Sequence, residues 1–88
     1  MYIKNIKINI KQGFHIRPLV KIVNFCKNFN LNLYILKYNY FANGKNLFEL
    51  QKLKIINNDI ITIVIYNKYK IETIYLLEKL LESINKEN

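Results

Sequence analysis

Two distant stretches of this sequence place apolar residues at every second position, and each is followed by a stretch that spaces them three or four apart. That combination commits the chain to a sheet covered by helices. In the first stretch, Tyr2, Ile6, Ile8 and Ile10 share one face, while Asn5, Lys7, Asn9 and Lys11 lie on the other, predicting a half-buried strand from Tyr2 to Ile10. In the second, Ile60 to Tyr66, residues Ile61, Ile63 and Ile65 oppose Thr62, Val64 and Tyr66, and this strand is expected at the centre of the sheet.

The segments between fill in the order. Gln12 and Gly13 break the first strand, and Pro18 suits the first turn of a helix, where its missing N–H has no intrahelical partner to lose. Leu19, Ile22, Val23 and Cys26 then recur as one buried face, which makes Cys26 a core residue. From Asn32 to about Ala42 β-branched and aromatic residues return, with Asn30, Asn32, Asn39 and Asn43-Gly44 as turn residues, predicting two short antiparallel strands. Leu47, Phe48, Leu50, Leu53 and Ile55 suit a short helix capped by Asn46 and ending before Asn57-Asn58-Asp59. A last helix from about Lys70 to Ser83 carries Ile71, Ile74, Leu77, Leu81 and Ile84 on its apolar face. The fold class is therefore α+β, in the order β-α-β-β-α-β-α, with a helical layer over one antiparallel sheet. Residues 1–88 form one domain without repeat or linker, and the polar tail from Asn85 to Asn88 is expected to fray.

A chain of 88 residues sits near the lower end of sizes that fold without cross-links, so a deep enclosed cavity is not expected. Cys26 is the only cysteine, which rules out an internal disulfide and favours a reducing compartment. The start of the sequence lacks an apolar signal region, and the run from Ile60 to Tyr66 falls well short of the ~20 residues of a membrane-spanning helix. A cytoplasmic protein without membrane insertion is expected. The net charge of +8 favours an acidic partner surface, although abundant Ile, Asn, Lys and Tyr, all with AT-rich codons, account for part of it as composition.

The only histidine, arginine and proline of the chain fall together in Gly13-Phe14-His15-Ile16-Arg17-Pro18. At a strand-to-helix junction, the backbone N–H groups of Ile16 and Arg17 have no intrahelical acceptors, and the helix dipole adds partial positive charge. Arg17 adds a fixed cation with a planar fork of donors. Both features favour a neutral imidazole, which can attack as a nucleophile, and both would hold the negative charge of a phosphoryl group placed on it. The alternative is a histidine that merely caps the helix beside a surface cation. Ile16, Val20, Leu47 and Phe48 are candidates for an apolar docking patch, with core packing the equal alternative for Leu47 and Phe48, and Lys21, Lys27 and Lys45 are candidates for its rim. One histidine, one cysteine and scattered carboxylates supply no metal site, and no cofactor is expected.

At these residues the chain resembles HPr, the family of histidine-containing phosphocarriers of the bacterial phosphoenolpyruvate-dependent sugar phosphotransferase system. The Gly13 to Pro18 hexad stands at the family's position, and Asn46-Leu47-Phe48-Glu49-Leu50-Gln51-Lys52-Leu53 is similar to its second helix. The resemblance implies an open-faced β-sandwich, with a four-stranded antiparallel sheet and three helices on one face. It implies that Nδ1 of His15 accepts a phosphoryl group from enzyme I and passes it to enzyme IIA components, with Arg17 and the Ile16 and Arg17 amides stabilising it. It also implies docking through Val20, Leu47, Phe48 and Gln51 by a monomer that acts as a transfer intermediate rather than a stand-alone enzyme.

Departures from the family pattern accompany the resemblance. Asn46 replaces the regulatory serine of many members, Ile16 replaces a small or hydroxylated residue, Lys54 stands where glycine is frequent, and Glu49 changes the charge of the docking helix. A nitrogen-branch regulatory phosphocarrier is the alternative within the same chemistry, with the second helix favouring the sugar system. From another class, a basic nucleic-acid-binding module would use Tyr34, Tyr38, Tyr40 and Phe41 for stacking, but a nucleic-acid partner is not expected because the basic residues are dispersed.

Overall fold

Alternating residues of β1 (Tyr2–Lys7) and β4 (Ile60–Ile65) pair antiparallel from Tyr2 opposite Ile65 to Lys7 opposite Ile60. The computed structural model describes residues 1–86. β2 (Leu33–Lys37) lies against the other side of β4, and β3 (Tyr40–Asn43) against β2, so the sheet runs β1-β4-β2-β3 and β4 is central as expected. β1 ends earlier than Ile10 for a reason on its partner. Beyond Ile60 the facing chain turns, and only the bonds from Ile8 N–H to Asp59 O and from Asn58 N–H to Ile8 O continue the contact. Ile8 and Ile10 nevertheless keep the inward phase of the alternation and are fully buried.

The inward faces of the strands contribute Ile61, Ile63, Ile65, Leu33, Ile35 and Ala42 to one core. Three helices cover it: α1 (Ile16–Asn28), α2 (Leu47–Lys52) and α3 (Ile71–Asn85). Burying such aliphatic side chains is worth about 1.5–3 kcal/mol each and is the main source of stability in a chain without cross-links. The α1 stripe of Leu19, Ile22, Val23 and Cys26 is buried as read from its spacing. Burial pushes the Cys26 thiol up to about 11, so it is a small apolar residue rather than a nucleophile. The helix closes with Asn30 at φ +47° and the Leu31 N–H bonded to Cys26 O at 2.9 Å, a left-handed cap that only glycine or asparagine adopts easily.

α3 departs from the expected stripe at its start. Ile71 is 81% exposed and Thr73 is buried instead, because Thr73 and not Ile71 lies one full turn before Leu77. The helix also continues past Ser83. Asn85 accepts a 2.8 Å bond from Asn9 N–H and donates one of 3.0 Å to Lys7 O, tying the end of α3 to β1 where a frayed tail was expected. Glu87 and Asn88 of that expected tail lie outside the described residues. At the other end of β1, Glu78 of α3 accepts from the Tyr2 hydroxyl at 2.8 Å and pairs with Lys4 at 3.2 Å.

α2 is shorter than the apolar pattern implied. Leu53 and Ile55 are buried but follow the helix, since Lys54 turns the chain with φ +49°. The turn is thus kept without glycine, at the cost of a left-handed lysine. Lys54→Gly is expected to raise stability by about 0.5–1 kcal/mol, the relief of left-handed strain less the extra freedom glycine gives the unfolded chain; urea unfolding measures it.

Lys37 straps this turn to the next one. Its ammonium donates to Lys54 O at 2.6 Å and pairs at 2.8 Å with Asp59 Oδ2, which also accepts from Ile56 N–H at 2.8 Å. The Ile56 N–H first, and the Lys37 bond second, hold the Asp59 carboxyl below the usual carboxylate range. A depressed folded pKa makes this contribution present above the unfolded value of about 3.9 and lost as pH falls through the folded one. Unfolding midpoints measured from pH 7 to pH 2 are expected to drop in that acid window. Asp59→Asn is expected to cost about 1–3 kcal/mol at pH 7 and to flatten the drop.

Candidate functional site

The position of His15 is set by Gly13, two residues before it. Gly13 has φ +67°, and a Cβ added there would lie 2.5 Å from Ile55 O and 2.8 Å from Ile56 Cα. This close approach lets Phe14 donate to Ile55 O at 2.9 Å and bury its ring. With Phe14 anchored inward, His15 is turned out to solvent and takes the N-cap position of α1 in an extended conformation, φ −75° and ψ −173°. Gly13→Ala is expected to cost about 2–5 kcal/mol, from left-handed strain together with overpacking against the Ile55–Ile56 backbone; thermal and urea unfolding check it.

The imidazole makes no capping hydrogen bond, so His15 holds the N-cap position through its backbone while its side chain caps nothing. Ile16 and Arg17 occupy the first two helical positions, where N–H groups lack intrahelical acceptors, and Pro18 brings none. Arg17 is exposed, and among the described residues no carboxylate pairs with it. His15, its two following amides and Arg17 therefore sit together at the positive end of a 13-residue helix. Among the described residues no group of three or more His, Cys, Asp or Glu could hold a metal ion.

α2 lies beside α1. Two tethers fix their relative direction: the chain leaving α2 bonds through Ile55 O to Phe14, and the chain before α2 bonds through Lys45 Nζ to Asn30 Oδ1 at 2.8 Å, past the end of α1. The helices thus run antiparallel, with the Gln51 end of α2 toward His15. Phe48 is 76% exposed, which settles it as a surface residue, while Leu47 is half-buried against the core. Ile16 and Val20 are also exposed, and Gln51 faces solvent. The lysines expected to rim the apolar patch, Lys21, Lys27 and Lys45, are spread along the helix pair, the last two at the end where Leu47 and Phe48 begin α2. Lys21 lies in the second turn of α1, whereas Lys27 and Lys45 belong to the far end, about 18 Å along the helix from His15.

Glu49, read from sequence as a changed surface charge, has a structural role. Its carboxylate accepts from Asn43 N–H at 2.9 Å and from Asn46 Nδ2 at 3.2 Å, while Asn46 Oδ1 accepts from Glu49 N–H at 3.1 Å. Asn46 is the expected cap, and the Asn46-x-x-Glu49 spacing also lets the two side chains bond each other, while Asn46 N–H goes to Asn43 O. The Ile55 carbonyl, by contrast, has no sequence signal, because its part is played by backbone alone. The larger surface grooves lie away from His15, on the open sheet face and between the end of α1 and the start of α3.

A four-stranded antiparallel sheet covered by three helices, with an uncommitted imidazole at the first helix start, defines a class of small α+β domains with an exposed histidine site. A family model described as "PTS HPr component phosphorylation site" matches residues 3–83. The chain is 36% identical over 61 residues to the phosphocarrier protein HPr of Buchnera aphidicola subsp. Schizaphis graminum, covering 69% of this chain and 72% of that protein. It is 38% identical over 63 residues to the phosphocarrier protein HPr of Buchnera aphidicola subsp. Baizongia pistaciae, covering 72% of this chain and 74% of that protein. The crystal structure of HPr-C-His from Thermoanaerobacter tengcongensis superposes with a TM-score of 0.85 at 25% identity, covering 100% of this chain and 99% of that one. The chain belongs to the HPr family of phosphocarriers of the phosphotransferase system.

Proposed function

We propose that this chain carries a phosphoryl group on Nδ1 of His15, taken from phosphorylated enzyme I and delivered to enzyme IIA components for sugar uptake. The observation that carries the reading is the uncommitted imidazole followed by two free helix-start amides and Arg17. The Nδ1 lone pair attacks phosphorus, the N–P bond forms as the bond to the donor breaks, and the donor leaves with that electron pair while Nε2 keeps its proton. Charge on the phosphoryl oxygens is met by the Ile16 and Arg17 N–H groups, held in place by the helix start, and by the Arg17 guanidinium, whose exposed side chain swings to meet it.

The rest of the surface supports docking of larger partners. An exposed site without walls relies on its partners to exclude water, and Ile16, Val20 and Phe48 offer apolar surface near it, with Leu47 and Gln51 beside them. At assay concentrations the carrier acts as a monomer in the cytoplasm. The absence of a hydroxyl at Asn46, where the side chain caps α2, leaves no serine there for regulatory phosphorylation. The similarity of the second helix to sugar-system members favours that branch over the nitrogen branch.

Incubation with phosphoenolpyruvate, magnesium and an enterobacterial enzyme I, followed by intact mass measurement, tests the reading. A single acid-labile phosphoryl adduct is expected on the wild type and none on His15→Ala. Arg17→Ala is expected to slow transfer by about 10- to 100-fold, the loss of one hydrogen bond to a charged group. No adduct with either this enzyme I or the organism's own would overturn the carrier reading, and a marked preference for a nitrogen-type enzyme I would overturn the choice of branch.

A further inference from the structure

The sheet face turned away from the helices carries apolar and aromatic side chains among uncharged polar ones. Strand register lines it up in rows: Ile3, Val64, Tyr34 and Asn43 in one, and Asn5, Thr62, Leu36 and Phe41 in the next. Tyr66 extends it, its N–H bonded to Asn32 O. Ile3 is 61% exposed, Phe41 68% and Tyr66 56%. Tyr34 holds Phe41 and Tyr66 edge-on, with ring centroids 6.0 and 5.5 Å away, around an open groove of about 500 Å³. The three rings form a fixed aromatic relief on the open face.

Charge selects what can cover this face. Of the 20 charged residues (14 Lys and Arg, 6 Asp and Glu), only Lys7 projects from the strands on this side, while Lys4 and Lys37 turn to the helical side and bind Glu78 and Asp59. Two copies of net charge +8 repel through most of their surfaces. Here they meet with almost no like charge opposed. A nucleic-acid strand stacked on the rings would need lysines on the same face to follow its phosphates, and an acidic protein would gain more from the basic remainder. Part of the polar surface is already paired, which lowers the cost of burying it: Thr62 donates to Asn5 Oδ1 at 2.8 Å, and Asn43 Oδ1 accepts from Lys45 N–H at 2.9 Å.

We propose that the open sheet face is a self-association surface, on which a second copy of this chain stacks face to face to close a two-sheet sandwich. Sheets packed this way lie about 10 Å apart with strands crossing at about 30°, in a two-fold arrangement where the same residues meet. The face measures roughly 20 by 20 Å from strand spacing and rise, about half of the ≈ 800 Å² per partner of a standard interface. The dimer is accordingly weak, with a Kd on the order of 100 µM, and the chain is a monomer well below that concentration. His15 lies in the helical layer on the far side, so the phosphoryl site stays open in the dimer.

Sedimentation velocity over a concentration series from about 10 µM to 2 mM tests this, spanning the expected Kd. The mean mass is expected to rise toward two copies and to do so at lower concentration in high salt, which screens the repulsion between like-charged copies. Phe41→Lys and Ile3→Lys, both at exposed positions, are each expected to weaken association by about tenfold or more with unfolding midpoints unchanged. Phe48→Lys on the helical side is expected to leave it unaltered. Wild type that stays monomeric to the top of the series, or a dimer indifferent to both face substitutions, overturns the proposal. So does binding of single-stranded RNA that weakens with salt and is lost in Phe41→Lys without any protein dimer.

Discussion

The contact that organises this molecule's chemistry is the passage of Gly13 against the Ile55–Ile56 backbone, at a distance no side chain can share. That passage lets Phe14 hydrogen-bond to Ile55 O and bury its ring, and it leaves His15 facing out at the start of α1. The opposing segment is itself strapped. Lys37 ties Lys54 O to Asp59, Asp59 closes the turn through Ile56 N–H, and Ile8 bonds to Asn58 and Asp59. An exposed histidine thus rests on backbone held from three sides, which is how a small domain positions a reactive side chain without a cleft.

Exposure and preorganisation divide the work between the chain and its partners. In the proposed transfer the chain supplies the nucleophile, two helix-start amides and a neighbouring cation, and the partners supply the leaving group and the exclusion of water. Phe48 is held out in solvent while Leu50 of the same helix is buried, and the start of that helix is held by the Asn46 cap and the Glu49 carboxylate. The candidate phosphoryl site and the exposed Phe48 lie in the helical layer, and the strands of the sheet face opposite carry almost no charge.

Much of the architecture was legible because burial imposes period two on strands and near-period 3.6 on helices. The central place of β4, the buried stripe of α1 and the Asn46 cap all follow from such local signals. Errors arose where a distant partner decided the outcome. β1 stops at Lys7 because the chain facing it turns, and Asn85 is ordered by bonds to Lys7 and Asn9 more than 70 residues away. The clustering of His15, Arg17 and Pro18 singled out the candidate site, but the Ile55 carbonyl that positions it carries no side-chain signature.

The central claim is that the first turn of α1 holds a phosphoryl group on Nδ1 of His15. Nitrogen-15 and amide-proton NMR of the phosphorylated protein tests it most directly. The account predicts an imidazole pattern of Nδ1 substitution and large shifts of the Ile16 and Arg17 amide protons, with the β-sheet amides unchanged. Substitution at Nε2, or Ile16 and Arg17 amides indifferent to phosphorylation, would contradict it.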